Sequence, residues 1–405
     1  MTEPIVQEER AGVAVSLLTG GTDRHYAYGL ATALATEGAN VELVGGSDID
    51  CPEFHETPNL RFLKLRGSLR PDVSLLDKIS RISRYYSRLL GYSDTARPRI
   101  FHILWNNRFE LFDRTLLMCF YRVLGKKVVL TAHNVNTRRR DADNSALNRF
   151  TLRIQYRLAN HILVHTENMK REVMSVFGVP AARVTTVAYG INNAVPNTRL
   201  TSAEARQALG IRDTEKVILF FGRIRPYKGL EYLIDAFGRL PRGGHDYRLI
   251  IAGRADKASP YWASVLDQIR KHEQSGGVLL YPEFIPDHEV ETYFKAADVL
   301  VLPYRNIYQS GILFLALSFG LPVLTSDVGS LKDEIVKGRN GCVFKPEDSA
   351  DLANTIDWYF KSDLYAHLDQ RRNEIRNDAT RRHSWRAAAR TTMEVYAQLL
   401  DSSVS

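Results

Sequence analysis

The sequence predicts an α/β protein of two doubly wound, Rossmann-like domains, each a parallel sheet with helices on both faces. Three observations lead there. The chain has 405 residues, more than a single core usually holds, so two domains are expected. Short, continuous apolar runs alternate with amphipathic helical patterns, as strands buried on both faces require. The same alternation then restarts after a polar, turn-rich stretch, "GINNAVPNTRLTSAEA" at 190–205. The resulting division is an N-terminal domain 1–190, a linker 191–205 and a C-terminal domain 206–405 whose last helix is free to pack back on the first domain.

In the first half, "VAVSLL" (13–18), "VELVG" (41–45), "IFHIL" (100–104), "KVVLTAH" (127–133), "HILVH" (161–165) and "VTTVAYG" (184–190) have the apolar continuity of buried strands. Helical patterns at 24–37, 109–124 and 147–159 lie between them. In the second half, "KVILFFG" (216–222), "RLIIAG" (248–253), "VLLY" (278–281), "DVLVLPY" (298–304) and "PVLTS" (322–326) are the strands. Helices are expected near 229–240, 261–274, 288–297 and 312–319. Two such domains facing one another leave a cleft at the carboxyl ends of their strands, where open α/β sheets bind ligands.

Composition narrows the class. With 44% hydrophobic and 25% charged residues the chain reads as soluble and globular. No apolar run approaches the ~20 residues of a membrane span, and the polar, acidic start excludes an ordinary signal peptide. Cys51, Cys119 and Cys342 lack metal-ligand spacing and read as reduced thiols of a cytoplasmic protein. The net charge of +8 is uneven: residues 1–200 hold 27 Lys+Arg against 19 Asp+Glu, and residues 201–405 hold 27 of each. The first half therefore meets something acidic, such as anionic lipid, a phosphorylated substrate or nucleic acid. Interspersed cations without a stacking motif argue against nucleic acid. A nicotinamide enzyme needs a G-x-G-x-x-G turn, and neither half has one.

Three loops hold candidate chemistry. In "FFGRIRPYKG" (220–229), Gly222 lets the chain leave a strand at unusual φ/ψ, and Arg223 and Lys228 stand where the next helix begins. Two solvated turn cations are one reading. The other is a diphosphate held by an arginine fork, a lysine point charge and the positive end of a helix dipole. In "LLTGGTDRHYAYG" (17–29), Gly20 and Gly21 follow the first strand directly, either as a tight packing turn or with amides turned to a ligand. In "YQSGILFLALSFGLPV" (308–323), the amides of Ser310 and Gly311 open a helix and form an anion site.

Together these loops resemble the GT-B glycosyltransferases, and most of all glycosyltransferase family 4 (group 1). The order "G-R…K-G", "AADVLVLPY" (296–304), "GLPVLTSDVG" (320–329) and "NGCVFKPEDSADLANTI" (340–356) is similar to that family, as is "GGTDRHYAYGLATALATEGANVELV" (20–44). The resemblance implies a GT-B fold, with an acceptor-side first domain and a second domain that binds a nucleotide-diphosphate sugar. It implies a hexosyltransferase acting on a glycan or lipid-linked acceptor in polysaccharide or glycolipid synthesis. Arg223 and Lys228 then hold the diphosphate with Gly21, Gly222, Ser310 and Gly311. His133, in "LTAHNVN" (130–136), stands where the family's sugar-contacting histidine falls, although as a residue ending an apolar strand it equally reads as a cap. No metal is expected, since no Asp-x-Asp stretch sits on a cleft loop and the cations serve the leaving diphosphate.

One departure is plain. The family usually carries two glutamates eight apart, expected here at Leu315 and near 307–309, and neither position is acidic. Gln309 takes the first place without a charge, and ribose must be held otherwise, with the 327–334 loop as the candidate. A sugar-nucleotide epimerase or a binder without transfer activity therefore stays open. Finally, "LLDKISRISRYYSRLLGYSDTARPR" (75–99) reads as a helix with an apolar stripe of Leu75, Ile79, Ile82, Tyr86 and Leu89. Beside it run Lys78, Arg81, Arg84 and Arg88. With Arg138, Arg139 and Arg140, this face is either ordinary surface or the side that meets an acceptor or the inner face of the plasma membrane.

Overall fold

A computed structural model describes residues 12–20, 23–67, 75–107, 109–136, 145–192, 195–241, 246–273 and 277–402. The chain forms two compact units, one running to Gly190 and resuming at Ser384, the other spanning Ile191–His383. No helix among the described residues is long and apolar enough to cross a membrane.

The first unit is built on seven strands: β1 (Ala14–Thr19), β2 (Asn40–Gly46), β3 (Leu60–Arg66), β4 (Ile100–Trp105), β5 (Lys127–Ala132), β6 (His161–Val164) and β7 (Val184–Thr186). They lie in the order β3-β2-β1-β4-β5-β6-β7, and every pairing is parallel. The strand order reverses between β1 and β4, so the loops after these strands flank a switch point of the kind that binds ligands. β3 escaped the apolar-run criterion because "LRFLKLR" is an edge strand with only Leu60 fully buried. The helix expected over 109–124 is two, Glu110–Arg114 and Leu116–Val123, broken at Thr115 (φ −120°, ψ −87°).

The final helix, Trp385–Asp401, belongs to this first unit and packs on helix Arg24–Thr36. Glu37 accepts from Arg386 Nε at 2.6 Å and Arg390 Nε at 2.8 Å. Trp385 fits because Gly29 and Gly190 have no side chain: a Cβ on either would lie 2.1 or 2.2 Å from the indole. Deeper in the sheet, His102 is fully buried, bonded to the Tyr396 hydroxyl at 2.5 Å and the Thr131 hydroxyl at 2.7 Å.

The second unit has six strands: β8 (Lys216–Phe221), β9 (Tyr247–Ala252), β10 (Val278–Tyr281), β11 (Val299–Leu302), β12 (Val323–Ser326) and β13 (Gly341–Phe344). Their order is β10-β9-β8-β11-β12-β13, all parallel, with the reversal between β8 and β11. The stretch read as a linker is folded onto this unit instead. Thr198 donates to Glu291 through its amide (2.8 Å) and its hydroxyl (2.9 Å). A helix, Ser202–Ala208, starts inside that stretch under a Thr201–Glu204 capping box.

Candidate functional site

At the carboxyl end of β8 the backbone turns at Gly222, with φ +101°. Gly253 ends β9 at φ +139°, and a Cβ there would lie 2.4 Å from the Gly222 carbonyl oxygen. Only glycine allows both the conformation and the approach. A Cβ on Gly222 would in turn meet Lys228 Nζ at 2.8 Å and Ile312 Cδ1 at 3.4 Å. The lysine therefore runs inward from its turn and ends beside the first turn of helix Gly311–Ser318. Lys228 is buried, and its Nζ lies 5.5 Å from the Tyr304 ring. Tyr304, also buried, pairs its hydroxyl with Ser310 Oγ at 3.3 Å.

The helix after this loop starts later than the sequence suggests. Pro226–Lys228 is a single 3-10 turn, Gly229 is left-handed (φ +62°), and the α-helix runs Leu230–Gly238. Gly229 is required because a Cβ there would lie 2.1 Å from the Pro303 carbonyl oxygen. The dipole that faces Lys228 is therefore that of Gly311–Ser318 as well, whose N-cap Ser310 is buried and makes no side-chain cap. Gln309 precedes it with a buried Oε1 that finds no hydrogen-bond partner among the described residues. Arg223 is exposed; partial burial first, then Arg225 and Arg254, lower its pKa, so three guanidinium groups gather at this sheet edge. Gly222, Arg223, Lys228, Ser310 and Gln309 thus lie on converging loops of one unit, with Tyr304 and Gly253 as members the sequence reading missed.

The expected acidic positions are core. Leu315 and Ile307 are 4% and 7% exposed, and neither apolar side chain can accept a hydrogen bond from a ligand hydroxyl. The 327–331 loop rides on 307–309 instead: Ser330 donates its amide to the Tyr308 carbonyl at 3.0 Å, and Gly329 packs against the Ile307 carbonyl oxygen.

In the first unit, His133 follows β5 and stacks on Trp105, with centroids 4.3 Å apart and planes at 5°. Tyr26 meets it edge-on at 4.5 Å. His165 Nδ1 faces the Val187 carbonyl oxygen at 3.2 Å, so it carries the proton, and His165 Nε2 accepts from His133 Nδ1 at 3.0 Å. That relay leaves His133 Nε2 as a lone-pair acceptor, buried and without a hydrogen bond of good geometry among the described residues. Burial, with His165 and His102 nearby, holds the His133 pKa well below the usual histidine range, against a smaller opposing effect of the Leu104 backbone. His133 is therefore neutral at pH 7. Its partners Trp105, Tyr26 and His165 come from strands and a helix too far apart in sequence to be read together.

Gly20 is accounted for by packing. Its amide donates to the Trp105 carbonyl at 3.1 Å, and a Cβ would lie 2.4 Å from Asn106 backbone carbon. Gly21, Arg138, Arg139 and Arg140 lie outside the described residues. Helix Leu75–Thr95 carries Arg84 and Arg88 exposed and Arg81 half-buried. Its apolar stripe differs from the expected one: Tyr85 and Leu89 are buried, whereas Ile79 is 53% exposed.

Residues 201–382 match the pattern of the family described as Glycosyl transferases group 1, and residues 19–195 that of Glycosyltransferase Family 4. An uncharacterized glycosyltransferase of Methanocaldococcus jannaschii is 29% identical over 245 residues, covering 58% of this chain and 59% of that protein. The chain thus spans less than two thirds of that relative's length. Sucrose-phosphate synthase from Thermosynechococcus elongatus superposes with a TM-score of 0.76 at 17% identity, over 96% of this chain and all of that one. The Anabaena protein HepE, in complex with UDP and glucose, gives 0.73 at 17% identity, again over 96% of this chain and 100% of the other. Likeness at these identities bears on the fold, which is GT-B.

Proposed function

Because this chain belongs to the group 1 glycosyltransferases, we propose that it transfers a hexosyl group from a nucleotide-diphosphate sugar to a glycan or lipid-linked acceptor. The observation that carries the reading is the buried Lys228 ammonium beside Gly222 and the first turn of helix Gly311–Ser318. Breaking the sugar–phosphate bond leaves charge on the diphosphate, and cations fixed in advance stabilise that charge as it develops. Lys228, Arg223 and the Ser310–Gly311 amides form such a set, and the reaction needs no metal. The binding of UDP and glucose by HepE supports a nucleotide sugar as donor. Ribose, without an acid at Leu315, is held by the 327–334 loop, and Gln309 bonds a hydroxyl of the sugar. The process served is polysaccharide or glycolipid synthesis at the cytoplasmic face of the membrane.

The test is incubation with radiolabelled UDP- and GDP-sugars and a panel of glycan and lipid-linked acceptors, with EDTA throughout. Label in an acceptor is the expected result. Label recovered only in an isomerised donor indicates an epimerase, and tight binding without turnover indicates a binder. A strict Mg²⁺ requirement overturns the metal-free step.

His133 gives a second check. Its Nε2 accepts a hydrogen bond from a hydroxyl of the transferred sugar. His133→Ala should cut turnover by about tenfold, the worth of one buried hydrogen bond of about 1–1.5 kcal/mol, while affinity for free UDP stays unchanged. Unaltered turnover per folded molecule, with a large fall in melting temperature, would return His133 to a purely structural role.

A further inference from the structure

His165 is a buried imidazole to which donor binding assigns no part. The sheet fixes its place. β5 runs parallel to β6 with Ala132 opposite Val164, so residues 133 and 165 leave the two strands side by side. Val187, just past β7, donates its amide to the Val164 carbonyl at 2.8 Å. Its own carbonyl oxygen then stands 3.2 Å from His165 Nδ1, and His165 Nε2 lies 3.0 Å from His133 Nδ1. Both ring nitrogens of His165 are thereby engaged, one by backbone and one by the second histidine.

The choice of imidazole at 165 has a chemical consequence. A carboxylate there would also accept from His133 Nδ1–H, but its charge would favour the imidazolium form and turn Nε2 into a donor. A neutral imidazole accepts the same proton and adds no charge. The surroundings keep both rings neutral. Tyr26 meets His133 at 4.5 Å and His165 at 5.4 Å, and Tyr189 meets His165 at 5.0 Å. Burial first of all raises the pKa of both phenols, so neither brings a charge. We propose that His165 is a positioning residue: it holds the Nδ1 proton of His133 and so keeps Nε2 a lone pair for a hydroxyl of the transferred sugar. The inference rests on the sugar contact of His133 proposed above and adds the residue that governs it.

Long-range ¹H–¹⁵N spectra of histidine-labelled full-length protein at pH 7.5, without substrate, read the proton directly. Wild type should show His133 protonated at Nδ1 and bare at Nε2. In His165→Leu, Nδ1 loses its acceptor, and the His133 signals should move toward the Nε2–H form. Turnover of UDP- or GDP-sugar, whichever wild type uses, should fall about tenfold in His165→Leu, the worth of one hydrogen bond. Affinity for free UDP should not change. His165→Gln, whose Oε1 can accept from Nδ1–H, should recover most of the turnover. In the His133→Ala background, His165→Leu should cost nothing further, because the two act as one unit. If His165→Leu does not fold, His165→Met takes its place in each measurement. An Nε2–H tautomer in wild type, or one that ignores the loss of His165, overturns the proposal. So does a Gln variant as slow as Leu, or an added loss in the His133→Ala background. The spectra separate the two readings. A tautomer that follows His165 while His133→Ala leaves turnover unaltered removes the sugar contact, and the positioning role falls with it. A tautomer that ignores His165 while His133→Ala still costs turnover overturns the positioning role alone.

Discussion

Replacing Lys228 with Ala is expected to weaken UDP binding by about tenfold to a hundredfold, more than any other single change in the second unit. A hydrogen bond to a charged group contributes about 1.5–3 kcal/mol, and each 1.4 kcal/mol is a factor of ten. Lys228 should sit at the upper end because its ammonium is buried beside Gly222 and the Gly311–Ser318 helix, away from solvent screening. Arg223→Ala should cost less, since Arg223 is exposed and Arg225 and Arg254 stand close enough to depress its pKa and to take over part of its role. Titration calorimetry with UDP reads both. Lys228→Met separates charge from packing: its stem still lies over Tyr304, so a loss equal to that of Ala assigns the effect to the ammonium. Wild-type UDP affinity in Lys228→Met would remove the diphosphate from this loop.

How much of this was legible follows from where each signal resides. Strands buried on both faces, such as β8 with all six residues buried, advertise themselves as apolar runs. Edge strands do not: β3 alternates with solvent, and β13 is four residues opened by Gly341, which a Cβ would drive into the Val323 carbonyl. The Gly222–Lys228 turn was readable because one local segment carries the glycine, the cations and the break in apolar pattern. The depth of Lys228 was not, since it depends on Tyr304 and Ile312 arriving from β11 and the helix beyond. His133 was visible as a histidine ending a strand. Its tautomer was not, because it is set by His165 and Val187, which come from other strands. The return of the last helix to the first unit rests on Trp385 meeting Gly29 and Gly190, a fit between residues more than 190 positions apart that no periodicity encodes.

The first unit should lose stability steeply as pH falls from 7 to 5. Burial pushes the pKa of His102 down to about 3 and that of His165 down to about 4. His133 moves the same way, and burial followed by Arg183 and Lys170 takes His161 to about 4. A histidine whose folded pKa is depressed is protonated first in the unfolded chain, near the ordinary value of about 6.5. The unfolded state therefore binds the extra protons, and stability falls from about pH 6.5 down to the folded value. At pH 5 each of His102 and His165 accounts for roughly 2 kcal/mol of loss. Asp113 acts in the other sense. Burial raises its pKa to about 6, so the folded state takes that proton first and regains roughly 1.4 kcal/mol by pH 5. The net loss is roughly 2–3 kcal/mol before His133 and His161, which add to it, and Asp23, whose burial raises its pKa and opposes it, are counted, set against the 5–15 kcal/mol that holds a typical domain. Urea unfolding at stepwise pH, followed by tryptophan fluorescence, measures it. His102→Asn, which cannot take a proton, should lower stability at pH 7 and flatten the slope below 6.5. A profile flat between pH 7 and 5, or a His102 imidazole seen by NMR to titrate near 6.5 in the folded protein, would show that the buried histidines do not govern acid stability.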